Sequence, residues 1–537
     1  MNFESLVEAT NGLIWSIPLV ALCLLAGLYF TLRTGFVQVR GLPEMLKQLV
    51  SGEKSEDGTS SFQALMMSLA NRVGMGNIGG VATAIAFGGP GAVFWMWTVA
   101  FFGASTSFIE CTLGQIYKEK DPDTGEYRGG PAYYFEKAFA HTSARGFFKV
   151  YAIAFAIVTV FAMSFFLPGV QANGMASAMN HAWQLPTWIA AIGMVLFLAF
   201  IVIGGVKRIA QFATYVVPPM AVIYILAALV VFFVNFQQIP HVFGLIFSNA
   251  FGGQAVFGAI IGLAIKWGVQ RGIYSNEAGQ GTGPHSAAAA EVSHPAKQGF
   301  VQAFAVYIDT LFVCTATAFI ILSTDMYSVF KDETFPGAVL YEGKIGTDVE
   351  PGPGFVQNGF DAFAPGLGAT FVALALGFFA FTTVVAYYYM AEVNLSYLTR
   401  KMKSRQLRRV LIRVLQVLVL GSVGYGAVTT GGAAWALGDI GVGSMAWLNI
   451  VGILVLQGPA LKALKDFYAQ KRQGLDPDFD PRTLGIHGAE FWELRADGHA
   501  LQGVSGTTVD ANVEAGAAPG RHAADEPGDP LVGTGER

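Results

Sequence analysis

The chain has 537 residues, of which 53% are hydrophobic and only 13% are charged. Soluble globular proteins carry about a quarter charged residues, so this composition excludes that class and indicates a polytopic membrane protein. The net charge is −4 and no basic stripe with interleaved aromatics occurs, so nothing points to a nucleic-acid partner. The three cysteines lie in apolar segments, where we interpret them as buried small hydrophobes rather than a disulfide or metal set.

Eleven apolar runs are long enough to cross about 30 Å of hydrocarbon. They lie near residues 13–32, 62–87, 92–117, 148–168, 187–204, 210–235, 255–275, 299–323, 366–392, 408–427 and 433–457. The sequence therefore predicts an all-α membrane protein with eleven transmembrane helices.

Lysine and arginine are distributed unevenly among the predicted loops. Four lie at 33–60, six at 118–149 and six at 400–410, whereas 168–186 and 236–254 hold none. Because cytoplasmic loops retain basic residues, we expect the N-terminus outside and the C-terminus in the cytoplasm, in a plasma (inner) membrane.

The run at 62–87 reads as a membrane helix, yet residues 71–80 contain four glycines and three strongly polar residues, Asn71, Arg72 and Asn77. Glycine lowers helix propensity, so we predict a break in the helix here. Unpaired backbone groups in hydrocarbon cost several kcal/mol each, so such a break survives only around a protein-lined cavity or a ligand.

A second interruption is predicted at 266–281, which holds Arg271 and Glu277. If the first span is set aside, the other ten divide into five and five, and the interrupted runs 62–87 and 255–275 each open one half. An odd number of spans per half inverts the second half relative to the first. Paired interruptions in inverted halves are typical of the binding sites of secondary transporters.

The predicted domains follow from this division. They are an N-terminal span and cytoplasmic connector (1–61), a first five-helix repeat (62–235), a second repeat (255–457) and a polar, disordered cytoplasmic tail (466–537).

A half-helix that begins after a break directs free N–H groups and a positive dipole end into the cavity, which suits a substrate carboxylate. Released carbonyls and asparagine oxygens on the other side of the break suit a hard cation such as sodium. One break therefore offers binding positions for both a substrate carboxylate and a cation.

Glu277 is an intramembrane carboxylate and hence a functional candidate. The alternative, which we weigh about equally, is that it pairs with Arg271 or Arg72 and holds a gate or the bundle closed. Structural pairing or an interfacial position is the favoured interpretation for three further acidic residues: Glu110, Asp309 and Glu392.

Thr382 and Thr383 lie in the middle of a span, where hydroxyls usually bond back to the preceding turn. Trp267 and Phe165 are candidates for a pocket wall, although packing explains most aromatics in a chain that is 13% aromatic. No Ser/His/Asp set, P-loop or CxxC pair occurs, and the GxGxxG match lacks a βαβ unit. We therefore expect neither an enzyme nor an organic cofactor.

Two stretches, residues 74–82 and residues 276–284, resemble the signatures of the alanine or glycine:cation symporter family. The resemblance extends over about residues 10 to 465 in span count and order. It implies a LeuT-type fold with one extra N-terminal helix before a five-plus-five inverted repeat. It also implies uptake of alanine or glycine with sodium, occasionally with protons.

The resemblance also implies a substrate site. The break residues Gly74 and Gly76 would receive the substrate carboxylate. The remaining substrate-binding candidates are Asn77, Ser275, Asn276 and Gly279, with Trp267 and Phe165 as walls.

Two cation positions are implied as well, one formed by Asn71, the carbonyl of Arg72, and Asn77, and the other by the carbonyl of Val73, Thr382 and Thr383. Arg72 departs from the family pattern, because the LeuT-type position is small.

The sequence thus predicts a sodium-coupled importer of small neutral amino acids that works by alternating access, with Glu277 and Arg271 in gating or coupling. Proton-coupled uptake through Glu277 is the main alternative, and a channel or sensor with the same site is a weaker one. The expected partners are the amino acid and the lipid bilayer, with no obligate protein partner evident.

Overall fold

Long apolar runs form helices because, in hydrocarbon, every backbone polar group must be satisfied within its own segment. The computed structural model describes residues 3–50, 59–121, 125–202, 206–252, 261–331 and 335–497. In the first half the helices are α1 (Phe3–Ile14), α2 (Ile17–Arg33), α3 (Val37–Arg40), α4 (Leu42–Val50), α5 (Ser61–Arg72), α6 (Val81–Gly88), α7 (Ala92–Ile116), α8 (Pro131–Ala138), α9 (Arg145–Phe161), α10 (Leu167–Trp183), α11 (Thr187–Val202), α12 (Val206–Val234) and α13 (Ile239–Ala250).

In the second half they are α14 (Ile261–Asn276), α15 (Gly283–Ala289), α16 (Pro295–Val306), α17 (Thr315–Thr324), α18 (Pro353–Asp361), α19 (Gly368–Thr399), α20 (Arg405–Val428), α21 (Gly431–Arg472) and α22 (Glu490–Ala496). Single π-helical turns cover Gly76–Gly80, Ala162–Phe166 and Tyr307–Cys314, and 3₁₀ turns cover Phe236–Gln238 and Pro481–Leu484. Two antiparallel hairpins complete the set: β1 (Glu119–Lys120) with β2 (Tyr127–Arg128), and β3 (Ser328–Phe330) with β4 (Val339–Glu342).

Within the described ranges, seven helices are long and apolar enough to cross a membrane, or eight if a bent pair counts as one span. The seven are Ser5–Arg33, Ala92–Ile116, Arg145–Trp183, Pro295–Thr324, Gly368–Thr399, Arg405–Val428 and Gly431–Arg472. The protein is therefore a multi-pass helical membrane protein, and the count of eleven spans stays a prediction.

Four predicted spans are not among these seven helices, each for its own structural reason. The run at 62–87 is divided after Arg72, and α11 has only 16 residues. The run at 210–235 belongs to the bent pair with α13. The run at 255–275 begins outside the described residues.

Two predicted boundaries were wrong because apolar content, which decides what enters hydrocarbon, does not decide where a helix ends. The span predicted at 148–168 belongs to a helix that continues to Trp183, so most of the predicted loop 168–186 is helical. The span predicted at 433–457 continues to Arg472.

The expectation of a disordered tail from residue 466 was wrong for the described part of that segment. The last turns of α21, the 3₁₀ turn and α22 occupy much of 466–497, and Trp492 is fully buried. Its indole N–H donates to the Gln115 carbonyl at 2.9 Å. One buried aromatic side chain thus anchors a polar segment that composition alone assigns to solvent. Residues 498–537 lie outside the described residues.

α7 occupies the centre of the bundle, where it packs against α2, α14, α15, α16 and α21. Close approach depends on small residues on its surface. A Cβ at Gly103 would lie 2.9 Å from that of Ala278, and one at Gly114 would lie 2.8 Å from Pro284. The two predicted repeats, residues 62–235 and 255–457, belong to one compact unit of the chain.

Candidate functional site

The first interruption lies between α5 and the π-turn Gly76–Gly80. Val73 is extended, with ψ of 99°, so the helix ends at Arg72. The amide groups released there are held by side chains: Gly74 N–H donates to Oδ1 of Asn77 at 2.9 Å, and Met75 N–H donates to Oε1 of Gln171 at 2.9 Å. Side-chain oxygens therefore accept the hydrogen bonds of backbone N–H groups that lost their helical partners at the break.

Two glycines of this interruption, Gly74 and Gly76, pack closely against other elements. A Cβ at Gly74 would lie 2.6 Å from Oγ1 of Thr383, and one at Gly76 would lie 3.1 Å from Cα of Ser275. The break is thus pressed against α19 on one side and against the end of α14 on the other.

The second interruption is shorter than the predicted 266–281, because α14 runs without a break to Asn276. The non-helical segment is 277–282, in which Glu277, Gly279 and Gly281 have positive φ. Left-handed backbone is unfavourable for a residue with a Cβ, so Glu277 is held there by its surroundings.

Glu110 of α7 holds this second interruption in place. Its carboxylate accepts the N–H groups of Gly279 and Gly281, each at 3.1 Å, and the amide of Asn449 at 2.6 Å. Structural pairing, the favoured interpretation of Glu110, agrees with these contacts.

Asp309, in the π-turn Tyr307–Cys314, joins the two interruptions. Its carboxylate accepts from Nδ2 of Asn77 at 2.5 Å, Oγ of Ser275 at 2.9 Å and Oγ1 of Thr310 at 2.7 Å. Asn276 lies beside it and donates to Oγ1 of Thr310 at 3.3 Å. Carboxylate and hydroxyl oxygens are ligands that a hard cation prefers, whereas Asn77 and Asn276 present their amide nitrogens to this cluster.

The sequence analysis named Asp309 but favoured structural pairing or an interfacial position for it, although a carboxylate in the middle of an apolar run is itself a sign of function. We call Asn77, Ser275, Asp309 and Thr310 the interruption cluster.

Glu277 pairs with neither arginine: within the described chain no ion pair joins it to Arg72 or Arg271. It accepts hydrogen bonds from Nδ2 of Asn71 and from Oγ1 of Thr282, the latter at 2.8 Å. The alternative in which Glu277 forms an arginine ion pair was wrong in this structure, because both arginines have other partners.

Arg72 is almost fully buried, and its guanidinium donates to the Gln302 carbonyl at 3.1 Å and to Oγ of Ser107 at 3.4 Å. It thus points toward α7 and α16.

Arg271 forms a buried bidentate ion pair with Asp439 of α21, at 2.9 and 2.8 Å. Gln270 donates to the same carboxylate at 2.8 Å. The guanidinium lies 4.1 Å from the ring centre of Trp435 and 4.9 Å from that of Trp267. Trp267 is therefore part of the surroundings of this ion pair.

Thr383 lies against the end of α5, and its hydroxyl approaches the carbonyls of Ala70 at 2.9 Å and Val73 at 3.3 Å. Thr382 bonds back to its own helix, to the Phe379 carbonyl at 2.9 Å. The structure thus brings Thr383 and Val73 together.

Phe165 is 37% exposed. Its ring packs against Phe166, and its carbonyl accepts from Oγ of Ser422 at 2.6 Å. The contacts of Phe165 therefore tie it to α20 rather than to the interruption cluster.

A multi-pass helical bundle in which two helix interruptions meet around buried polar groups has the organisation of a secondary transporter. A family model described as the sodium:alanine symporter family matches residues 1–481. The chain belongs to the sodium:alanine symporter family, and this membership makes it a transporter rather than an enzyme.

Two relatives and one solved structure illustrate the similarity. The protein YrbD of Bacillus subtilis (strain 168) is 53% identical over 487 residues, which cover 91% of this chain and 97% of YrbD. The sodium/proton-dependent alanine carrier protein of Bacillus sp. (strain PS3) is 47% identical over 450 residues, covering 84% of this chain and 97% of the carrier. The crystal structure of MhsT in complex with L-phenylalanine matches with a TM-score of 0.49 and 15% identity, covering 82% of this chain and 97% of MhsT.

Proposed function

We propose that the protein imports small neutral amino acids, alanine foremost and glycine with it, by symport with sodium. The observation that carries this proposal is the interruption cluster, in which Asn77 of the first interruption and Ser275 at the end of α14 share the Asp309 carboxylate. A relative named for sodium/proton-dependent alanine transport supports the choice of substrate.

The proposed substrate seat lies at the start of the turn Gly76–Gly80, beside Gly74. The first N–H groups of a helical segment have no partner within that segment and attract carboxylates. A substrate carboxylate bound here replaces the side-chain oxygens of Asn77 and Gln171, which now accept from the N–H groups of Gly74 and Met75. The amino group of the substrate faces Asn276, Glu277 and the backbone near Gly279. A Cβ at Gly76 would lie only 3.1 Å from Cα of Ser275, so the two interruptions must separate to admit the substrate, and a compact amino acid requires the least separation.

The proposed first cation position consists of oxygens of Asn77, Asp309 and Ser275, to which we add Asn71 and the Arg72 carbonyl from the family resemblance. The second uses the Val73 carbonyl with Thr383 and Thr382. Asn77 contacts both the proposed substrate position and the proposed cation position. Its amide oxygen accepts from Gly74 N–H, and its amide nitrogen donates to Asp309. A cation that binds Asp309 must rearrange this amide and thereby alters the donors presented to the substrate, which couples the two ligands.

The Arg271–Asp439 ion pair is the proposed outer gate. It joins α14 to α21, and both helices must separate there if the substrate is to enter from outside. Trp267 and Trp435 pack on the guanidinium and exclude water from the closed pair. This assignment uses the proposed orientation, with the N-terminus outside, the C-terminus cytoplasmic and the first and sixth core helices discontinuous.

The driving force suits concentrative uptake. One charge moving down 100 mV gains about 2.3 kcal/mol, and a tenfold sodium gradient adds about 1.4 kcal/mol. One sodium per substrate thus sustains accumulation of several hundredfold, on the order of what 3.7 kcal/mol provides.

Proton coupling through Glu277 is the second candidate. The observation in its favour is that Glu277 is buried, has no arginine partner within 4 Å in the described chain and is held by the neutral donors Asn71 and Thr282.

The deciding experiment measures radiolabelled alanine uptake into liposomes that hold the purified full-length protein. An inward sodium gradient is compared with equal choline, and each is repeated with an inward proton gradient. We expect an overshoot above equilibrium with sodium that disappears in Asn77→Ala.

Uptake that follows the proton gradient and ignores sodium would move the coupling role to Glu277. Flux that never exceeds equilibrium would instead favour a channel or sensor. Glycine, serine and the larger glutamine serve as competitors that measure the size limit of the site.

A further inference from the structure

A cavity of about 740 Å³ lies away from the interruption cluster, where the end of α2, the turn after it and the C-terminal third of α21 meet. Its lining contains five basic residues: Arg33, Arg40, Lys462, Lys465 and Arg472. No carboxylate lines it within the described parts of the chain. Like charges gathered in one concave site repel one another, so the cavity is built to receive an anion.

None of the five basic groups has a carboxylate within 4 Å among the described residues. Arg33 instead donates to the hydroxyl of Tyr29 at 3.2 Å. Lys462 is engaged by backbone, as its ammonium donates to the carbonyls of Leu484 and Gly485 at 2.8 and 3.3 Å. The guanidinium of Arg40 lies 5.1 Å from the ring centre of Tyr468, which orients it without neutralising it.

The outer surface beside the cavity is apolar. Leu25, Leu28 and Leu32 are 63, 40 and 60% exposed and follow helical spacing on one face of α2. On α21, Val451 and Val455 are 42 and 60% exposed. Exposed apolar side chains on a membrane helix contact acyl chains, and Leu32 belongs both to this face and to the cavity lining.

We propose that this cavity binds the phosphodiester head group of an anionic phospholipid, whose acyl chains lie along the exposed face of α2. A free phosphate would use the basic groups but not the apolar face that continues from them. Arginine holds phosphate through two parallel hydrogen bonds, and basic pockets at the cytoplasmic ends of membrane helices suit anionic head groups. The choice of the cytoplasmic leaflet rests on the orientation in the proposed function.

The test compares the purified full-length protein with a triple variant, Arg40→Gln, Lys465→Gln and Arg472→Gln. The matched control is Lys401→Gln, Lys403→Gln and Arg405→Gln, which removes three exposed basic groups just before and at the start of α20. Bound lipid is counted by native mass spectrometry, and the thermal midpoint is followed during titration with phosphatidylglycerol or with phosphatidylcholine.

We expect phosphatidylglycerol, but not phosphatidylcholine, to bind the wild type and raise its thermal midpoint. Each basic group near an anionic head group contributes about fivefold in affinity, so the triple variant should bind about a hundredfold more weakly. The control should bind as the wild type does. If the triple variant does not fold, the single variant Lys465→Gln tests the proposal instead. Its affinity for phosphatidylglycerol should fall about fivefold.

Equal phosphatidylglycerol affinity in the wild type and the cavity variants would overturn the proposal. So would an equal rise of the thermal midpoint with inorganic phosphate or glycerol phosphate, because the site would then bind a free anion. A protein that binds phosphatidylglycerol through this cavity but does not accumulate alanine would support the lipid site and count against the proposed function alone.

Discussion

Asp309 is the residue on which both interruptions converge, and its environment is built entirely from neutral donors. Three hydrogen bonds hold the carboxylate, and two of the donors come from the ends of the interrupted helices. A carboxylate held this way has a fixed position but no arginine ion pair, so its negative charge is available to a cation.

Asp309→Asn should raise the sodium concentration needed for half-maximal alanine uptake by at least about tenfold, equivalent to 1.4 kcal/mol. The reason is the loss of the formal charge at the proposed cation position. A sodium titration of uptake in liposomes measures it. Glu392→Gln is the control, because Glu392 is a mostly buried carboxylate that lies 3.9 Å from Arg128 instead. An unchanged sodium dependence in Asp309→Asn would place the cation elsewhere.

The Arg271–Asp439 pair predicts a non-additive stability effect. Removing one partner of a buried ion pair costs about 3–5 kcal/mol because the other charge stays buried and unpaired, whereas removing both costs less. Asp439→Asn should therefore lower the thermal midpoint more than Arg271→Gln combined with Asp439→Asn. Thermal unfolding of the purified variants measures the cycle, and an additive result would mean that the pair is not coupled.

The residue types in the sequence indicated which positions are functional candidates, but not which side chains contact one another. Asn71, Asn77 and Glu277 are polar residues in apolar runs, and that pattern was enough to single them out. The partner of Arg271 was not predictable, because Asp439 lies 168 residues away in the chain.

At the scale of elements, the first interruption depends on glycine for space rather than for unusual backbone angles. The nearest atoms to a Cβ at Gly74 would be side-chain oxygens of Thr383 and Gln171, at 2.6 and 2.8 Å. Both groups also bond the released backbone of the break, so they cannot move aside without leaving it unsatisfied.

Gly74→Ala should therefore reduce alanine uptake by at least about tenfold, the effect of 1.4 kcal/mol at the site. Gly193→Ala in α11 is the matched control, because a Cβ there meets nothing within 4 Å. Initial uptake rates at equal protein density in liposomes compare the two. Full activity in Gly74→Ala would show that the break tolerates a side chain and would contradict the packing argument.

Helix positions followed from apolar runs, but helix ends did not. The helices that contain the predicted ends at residues 168 and 457 continue to Trp183 and Arg472, so each predicted end was 15 residues early. Outside hydrocarbon, tertiary packing decides where a helix stops, and a single sequence does not display that packing.

At the scale of the whole molecule, the C-terminal segment closes one end of the bundle. Trp492 is fully buried against α7, and Lys297 of α16 pairs with Asp476 at 3.2 Å. Glu490 also reaches Lys137, at 3.6 Å. The segment therefore ties α7, α8 and α16 together.

Trp492→Ala should destabilise the protein by about 3–5 kcal/mol, the usual effect of emptying a buried tryptophan site. Leu494→Ala on the same helix is the control, because Leu494 is 49% exposed. Thermal unfolding of the full-length protein in detergent gives the comparison. Equal midpoints for the two variants would mean that the segment contributes nothing to stability.

The sequence by itself determined that this is a helical membrane protein and which family it resembles, because the apolar runs and the family signatures can be recognised from local residue order alone. Only the tertiary structure decided that Asp309 meets Asn77, that Arg271 meets Asp439 and that Trp492 is buried. Each buried polar group needs a partner, and several partners suit each group chemically. Which one it meets depends on how helices far apart in the chain pack together.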